Sequence, residues 1–193
     1  MKGQSDINVV GEGLYYYPVI IIQFSHPILP YLCSMAIRKI QPNDNQTLGS
    51  VIQTVLKEFG IDRPGTAYYD PQLYSLYESF QTPGSNYWVV EIDNEIVGCG
   101  GIFPTKGLNK GCVELVKFYL LPKARGKGMG KELLLQCISG AKEMGYESMY
   151  LETMPELTTA IPLYERNGFR HLTAPLGDSG HFACTIWMQK TLM

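Results

Sequence analysis

The fold is decided by residues 112–135, which read CVELVKFYLLPKARGKGMGKELLL. The first half is rich in β-branched and aromatic side chains and ends at Pro122, which predicts a strand. From Leu133 to Met144 apolar residues recur at the spacing of one helical face, which predicts a helix. Between them lie three alternating glycines, Gly126, Gly128 and Gly130. A strand therefore leads through a glycine turn into the N-terminus of a helix.

This arrangement is suited to holding an anion. The first helical turn has backbone N–H groups without partners in the helix, and the summed peptide dipoles place partial positive charge there. Because glycine lacks a Cβ, a phosphate oxygen can approach these groups closely. The side chains that add positive charge around the turn are Lys123, Arg125, Lys127 and Lys131. The alternative is an ordinary strand–helix turn with solvated lysines, which any glycine-rich loop leaves open.

Two common phosphate-binding loops do not fit this turn. A P-loop requires Gly, four residues and then Gly-Lys-Ser/Thr, and no such run occurs in the sequence. The dinucleotide motif G-x-G-x-x-G fails because its final spacing is missing. The remaining pattern, Arg125-x-x-Gly128-x-Gly130 after a strand that carries Glu114, resembles the acetyl-CoA loop of the GNAT superfamily of N-acetyltransferases.

A second segment strengthens this resemblance. Residues 160–169 read AIPLYERNGF, which is similar to the superfamily's short helix that ends in Tyr-x-x-x-Gly-Phe before a strand. The resemblance extends over residues 35–193. It departs from the family pattern at Leu157, where many members carry an asparagine that contacts CoA, and at Pro162, which would kink a helix interior. With Thr159 as the N-cap, Pro162 falls in the first turn, so we predict a short helix that starts late.

The order of predicted elements indicates the fold class. After a first strand and two helices come a hairpin, the strand ending at Leu121, helix 128–145 and strand 148–151, followed by the short helix and two last strands. Hairpins are mixed with helix crossovers, so we expect an α/β fold with a mixed, mostly antiparallel central sheet and helices on both faces. We expect the second helix to start at Pro71 with Asp70 as its cap, and the last strand to cover residues 181–189. The resemblance implies that the strands at Leu121 and at 148–151 splay apart at an acyl-CoA cleft.

Length and composition indicate one globular domain with an extension. A chain of 193 residues, 45% hydrophobic and 18% charged, has the size and composition of a single globular domain. An apolar stretch in residues 1–34 is interrupted by Pro18, Pro27 and Pro30, and it matches neither a membrane span nor a signal peptide. We therefore expect residues 1–34 to be a weakly ordered N-terminal extension and residues 35–193 to be the N-acetyltransferase domain.

Charge and cysteine content argue against several classes of partner. A formal net charge of −2 is unlike the clearly basic character of nucleic-acid-binding domains. The five cysteines show no C-x-x-C spacing, which argues against a zinc site and against a disulfide framework. Such residues are typical of small buried side chains in a reducing compartment. We expect a cytoplasmic protein that binds no nucleic acid, no membrane and no metal.

The resemblance implies that acetyl-CoA is the co-substrate and that no metal is needed. Its pantetheine arm would pair with the backbone at Phe118 and Leu120, as an added strand does. Its pyrophosphate would rest on the backbone amides of the glycine turn. The candidate cofactor-binding residues are Phe118, Leu120, Arg125, Gly126, Lys127, Gly128, Met129 and Gly130.

Two side chains are candidates for the chemistry. A free amine has a pKa of about 10, so a base must remove its proton. Glu114 lies eleven residues before Arg125, the spacing at which several family members carry their base. Tyr164 is the candidate acid that would protonate the leaving thiolate of CoA. The structural alternatives are a strand glutamate paired with a lysine and a core tyrosine with its hydroxyl on a backbone carbonyl.

The acceptor is less well determined by the sequence. The candidate substrate residues are Arg63, Tyr68, Tyr69 and His181. His181 could bind a substrate or act as a base, whereas a lone histidine at a strand start is more often structural. Because no peptide-docking groove can be read from the sequence, we expect a primary amine of a small molecule as the acceptor. The alternative function is a non-catalytic acyl-CoA-binding sensor or interaction module, and the oligomeric state stays open between a monomer and the homodimer common in the family.

Overall fold

The structure is a computed structural model that describes residues 34–192. The predicted extension, residues 1–34, therefore lies outside the described residues except for Ser34. The described elements in chain order are β1 (Met35–Lys39), α1 (Asn45–Glu58), α2 (Leu76–Ser79), β2 (Asn86–Ile92), β3 (Glu95–Phe103), β4 (Cys112–Leu120), α3 (Met129–Glu143), β5 (Ser148–Thr153), α4 (Ala160–Arg166), β6 (Arg170–His171) and β7 (Ile186–Thr191).

The strands form one sheet with the order β1-β2-β3-β4-β5-β7-β6. The pair β4–β5 is parallel, and the other strand pairs are antiparallel. One face packs against α3 through a core that includes Leu133 and Leu134, and the other packs against α1 through a core that includes Leu48 and Ile52. The predicted fold class, a mixed and mostly antiparallel sheet with helices on both faces, is confirmed.

The parallel strands separate halfway along β4. Residues 112–115 of β4 pair with residues 148–151 of β5, whereas β4 continues to pair with β3 as far as Leu120. The register between β3 and β4 shifts close to Lys117, whose φ is 49°. Such a bulge bends a strand and increases its twist, which turns the end of β4 away from β5. The splay implied by the family resemblance is present.

Two predicted boundaries were wrong, and one was confirmed. The second helix does not start at Pro71 but covers Leu76–Ser79, because the carboxylate of Asp70 binds two other side chains instead of capping it. The last strand starts at Ile186 instead of at residue 181, since residues 181–184 form a turn closed by the Cys184 N–H on the His181 carbonyl, 3.0 Å. The short helix α4 does begin late, with Thr159 as N-cap and its proline in the first turn.

Candidate active site

A cleft of about 490 Å³ opens where β4 and β5 separate. Phe118 and Leu120 of β4 form one wall, and residues at and before α4 form the opposite wall. The predicted cofactor-binding residues that line it are Phe118, Leu120, Arg125, Gly126, Gly128 and Gly130. Lys127 is exposed beside the cleft, and the side chain of Met129 is buried in the core that α3 covers. Met129 could therefore contact a cofactor only through its backbone. Lys127 could contact one only from outside the cleft wall.

The glycine turn leaves open space above its backbone. Gly126 and Gly128 have φ values of 72° and 82°, a region that costs other residues about 1–2 kcal/mol. A Cβ added at either position would meet no atom within 4 Å. The turn therefore requires glycine for its backbone conformation, and the space over it is free for a ligand. The amides that open α3 lack partners within the helix, so this corner fits the diphosphate of a CoA-type ligand.

The candidate base, Glu114, is the third residue of β4 and is buried. Its side chain is 3% exposed, and its carboxylate accepts a hydrogen bond from the Thr105 hydroxyl. It lines a small cavity of about 50 Å³ together with Tyr119 and Leu157, which also line the cleft. Burial raises the pKa of Glu114 to about 7, against the lowering effect of the Thr105 hydrogen bond. The carboxyl group thus adjoins the cleft and has a pKa close to neutrality.

Glu114 also lines a second large cavity, of about 480 Å³, on the α1 face of the sheet. We call this space the Glu114 cavity. Its polar wall contains Asp70, Lys117 and His181. The Asp70 carboxylate accepts a hydrogen bond from the Lys117 ammonium and lies 3.1 Å from His181 Nε2. Burial alone would raise the pKa of Asp70, but the His181 hydrogen bond and the Lys117 charge outweigh it and hold this pKa at about 2.

The sequence interpretation missed two carboxylates near Glu114. Asp70 was predicted to be a helix cap. No residue near it in the sequence indicates that it would contact Lys117 and His181, which lie 47 and 111 positions further along the chain. Glu152 lines the small cavity and accepts hydrogen bonds from the hydroxyls of Tyr150 and Ser179, at 2.8 and 2.7 Å. The one available signal is its position directly after the predicted strand 148–151, because β5 stops pairing with β4 at Leu151.

The candidate acid, Tyr164, lies directly behind the cleft wall. Its ring packs edge-to-face on Phe118 with the centroids 6.0 Å apart. Leu163 on the same helix and Asn167, which caps its end, line the cleft, whereas Tyr164 is 5% exposed and does not. Burial raises the pKa of Tyr164 above its ordinary value. The hydroxyl is therefore protonated at neutral pH, as an acid must be before it acts.

The four candidate substrate residues are separated by the fold. His181 lines both cavities that Glu114 lines. Arg63 donates a hydrogen bond of 2.8 Å to Glu156, and Tyr68 and Tyr69 pack on each other with ring centroids 5.0 Å apart. Those three line neither the cleft nor the two cavities. The structure thus brings one of the four, His181, next to Glu114.

The described residues, 34–192, contain neither a candidate metal site nor a helix that could cross a membrane. No cluster of three or more His, Cys, Asp or Glu side chains with the geometry to hold a metal ion occurs in that range. None of the helices described there combines the length and the apolar character needed to cross a bilayer.

Comparisons with known proteins agree with this geometry. Residues 52–169, more than half of the chain, match the model of the acetyltransferase (GNAT) family. A relative from Escherichia coli K12, the uncharacterized N-acetyltransferase YjgM, is 42% identical over 160 residues, which cover 82% of this chain and 96% of the relative.

Solved structures show the same fold. A GNAT-family acetyltransferase from Staphylococcus aureus Mu50 superposes with a TM-score of 0.74 at 22% identity, covering 83% of this chain and all of that one. The putative acetyltransferase YncA from Salmonella typhimurium, solved with its cofactor acetyl-CoA, gives 0.65 at 20% identity and covers 82% and 94%. With the family match, the YjgM relative and the cleft at the splayed strands, the chain belongs to the acetyltransferase (GNAT) family and is an acetyl-CoA-dependent N-acetyltransferase.

Proposed function

We propose that the protein acetylates a primary amine of a small acceptor by direct attack, with Glu114 as the general base and Tyr164 as the general acid. One observation carries the proposal: Glu114 is a buried carboxylate that lines both the small cavity adjoining the cleft and the Glu114 cavity. A group in that position can serve an acceptor that enters from one side and a thioester that enters from the other.

The properties of Glu114 suit a base. An ordinary primary amine, with a pKa of about 10, is protonated at neutral pH and cannot attack. A base works best when its own pKa lies near the operating pH, and burial raises that of Glu114 to about 7. Glu114 accepts the extra proton of the ammonium and passes it to solvent. As the neutral amine then bonds to the acetyl carbon and the carbon–sulfur bond breaks, Glu114 accepts a second proton from the nitrogen, which leaves a neutral amide.

Tyr164 supplies the proton that the leaving thiolate of CoA takes up. Its ring packs against Phe118, which lines the cleft, and also against Phe169, with 5.8 Å between the ring centroids of the second pair. In this proposal the hydroxyl of Tyr164, a residue directly behind the cleft wall, donates its proton to the leaving sulfur, and the product is the free CoA thiol. Solvent then restores the protonation states of both side chains.

The cleft has backbone groups for the rest of acetyl-CoA. In this proposal the amides of residues 126–130 hold the diphosphate, and the open edge of β4 at Phe118 and Leu120 pairs with the pantetheine arm. Leu120 offers its N–H, because its carbonyl already accepts a hydrogen bond from Arg125 Nε at 2.9 Å. No side chain charge is required for the pantetheine contacts.

A small acceptor is favoured by the size and the walls of the Glu114 cavity. Its volume of about 480 Å³ falls within the range of about 300–1,000 Å³ that is usual for small-molecule sites. Apolar side chains such as Phe80 and Phe103 and the charged Asp70, Lys117 and His181 share its wall. The mixture suits a compact amine with an apolar body and a polar group.

An acceptor panel tests the proposal. The full chain is incubated with acetyl-CoA and either small primary amines and amino acids or peptides with free N-termini and lysines. Free thiol and acetylated product are both measured. We expect thiol release in equal amount to acetylated small amine. Acetylation of peptides alone would refute the small acceptor, and tight CoA binding without turnover on any amine would refute the catalytic roles.

A further inference from the structure

The arginine that precedes the glycine turn is engaged inside the protein. Its Nη1 and Nη2 donate to the two carboxylate oxygens of Glu58 at 2.7 and 2.8 Å, and its Nε donates to the Leu120 carbonyl at 2.9 Å. This two-point geometry is that of the strongest arginine–carboxylate pairs. The Arg125 guanidinium also lies over the ring of Phe59, 5.0 Å from its centroid, where a cation is attracted to the π-face.

These contacts join three separate parts of the cleft wall. Glu58 is the last residue of α1 and Phe59 follows it, Leu120 is the last residue of β4, and Arg125 precedes the glycine turn. Phe59, Leu120 and Arg125 all line the cleft. Glu58 and Arg125 are 67 residues apart in the chain. Their ion pair therefore links the end of α1 to the glycine turn, two parts of the wall that the local sequence does not connect.

We propose that Glu58 is a positioning residue for acetyl-CoA, which holds Arg125 as a clamp of the cleft wall and keeps it from acting as a phosphate ligand. The guanidinium has five N–H groups, and Glu58 and Leu120 use three of them. Arg125 also lowers the pKa of Glu58, so the pair is charged at neutral pH. The positive charge for the diphosphate then comes from the amides of the turn and from Lys131, which lines the cleft.

The two roles of Arg125 predict changes of opposite sign. If the guanidinium turned towards a bound diphosphate, Glu58 would compete for it, and Glu58→Gln would tighten CoA binding. If the pair is a clamp, Glu58→Gln loosens the wall and weakens CoA binding. We expect about a fivefold rise in Kd for CoA and in KM for acetyl-CoA, the size expected for a partly exposed ion pair, with kcat changed less than twofold.

The test compares Glu58→Gln with a matched control, Glu143→Gln. Glu58 ends α1 and Glu143 ends α3, so both substitutions remove a carboxylate from the same unfavourable end of a helix dipole. Glu143 accepts a hydrogen bond from Ser139 of its own helix, 2.9 Å. Kd for CoA is measured by calorimetry, and thermal unfolding is followed in parallel. We expect Glu143→Gln to bind CoA within twofold of the unmodified chain.

A second variant separates the clamp from a general loss of packing. Lysine cannot reproduce the fork of arginine, so Arg125→Lys should weaken CoA binding as much as Glu58→Gln does. The double variant should be no weaker than either single one, since both break the same pair. Tighter or unchanged CoA binding in Glu58→Gln, or additive losses in the double variant, would overturn the proposal. Because CoA binds without an acceptor, this result is independent of the roles proposed for Glu114 and Tyr164.

Discussion

The two ends of the proposed active site are built in different ways. The cleft proposed to bind CoA takes half of its lining from one continuous stretch, residues 118–131, which offers backbone groups to a ligand. The Glu114 cavity is assembled from residues 70–80, 103–106, 114–117 and 178–181, and it presents charged side chains. One end therefore depends on local backbone conformation, and the other on ion pairs between distant segments.

This difference predicts how each end responds to substitution. Changes of backbone geometry at the glycine turn should alter CoA binding and leave the acceptor unaffected. Changes of charge around Asp70 should alter acceptor binding and leave CoA unaffected. Glu114 lies between the two ends and Tyr164 lies behind the cleft wall. Substitution of either should slow the proposed chemical step while both ligands still bind.

Glu114→Gln should have the largest effect. Loss of a general base typically lowers kcat by about 10²–10⁴-fold, and we expect a decrease in that range because glutamine fits the site but cannot accept a proton. Steady-state thiol release gives kcat, and calorimetry should give an unchanged Kd for CoA. Glu143→Gln serves as the control with full activity. Retention of more than a tenth of kcat would remove Glu114 from the mechanism.

The pH dependence of the unmodified enzyme follows from the same carboxyl group. The base must be ionised, so kcat/KM should rise as the pH increases through about 7, the pKa of buried Glu114, and this rise should be absent in Glu114→Gln. The ordinary pKa of a glutamate is 4.5, and that of Glu114 in the folded protein is about 7. Between these two pH values Glu114 keeps its proton in the folded state and releases it in the unfolded state. The free energy of unfolding should therefore fall as the pH rises through that interval.

Tyr164→Phe should have the next largest effect. A thiolate with a pKa of about 8.5 is a fair leaving group without help, so we expect kcat to fall about tenfold to a hundredfold, less than for Glu114→Gln. The ring keeps its contacts with Phe118 and Phe169, so the unfolding temperature should change by only a few degrees. An unchanged kcat would leave Tyr164 as a core residue.

Asp70→Asn tests the acceptor end. It removes the anion between Lys117 and His181, and we expect about a tenfold loss of kcat/KM for the acceptor because a partly buried ammonium loses its partner. Kd for CoA should stay within twofold, and the exposed Asp62→Asn is the control. Since the pKa of Asp70 is about 2 instead of 3.8, its stabilising contribution should persist to low pH and be lost only as the pH falls through that interval. A change in CoA binding would break the separation of the two ends.

Gly128→Ala tests the CoA end and should have the smallest effect. Alanine at a φ of 82° is strained by about 1–2 kcal/mol, so the turn should shift and Kd for CoA should rise about fivefold with no change in KM for the acceptor. Gly145 at the other end of α3 has a φ of 81° and equally open surroundings. Gly145→Ala should therefore lower the unfolding temperature as much but leave CoA binding unchanged. Equal effects of both substitutions on Kd would contradict a specific role for the turn.

Sequence patterns were sufficient for the parts of the fold that depend on neighbours in the chain. The glycine turn, the late start of α4 and the alternation of strands and helices follow from spacing, and the structure confirms them. Asp70 was misassigned because its prediction also used only its neighbours in the chain. A short acidic residue before a proline is a typical helix cap, and its true partners come from two other segments.

The sequence by itself determined that a strand, a glycine turn and a helix follow one another, because those features depend on backbone dihedrals and residue periodicity. Only the tertiary structure decided that Arg125 pairs with Glu58, that Asp70 joins Lys117 to His181, and that Glu114 is buried between two cavities. The three pairs of partners in those contacts are separated by 47, 67 and 111 positions in the chain. Ion pairing and burial are set by that three-dimensional arrangement, which the residues near each position in the sequence do not predict.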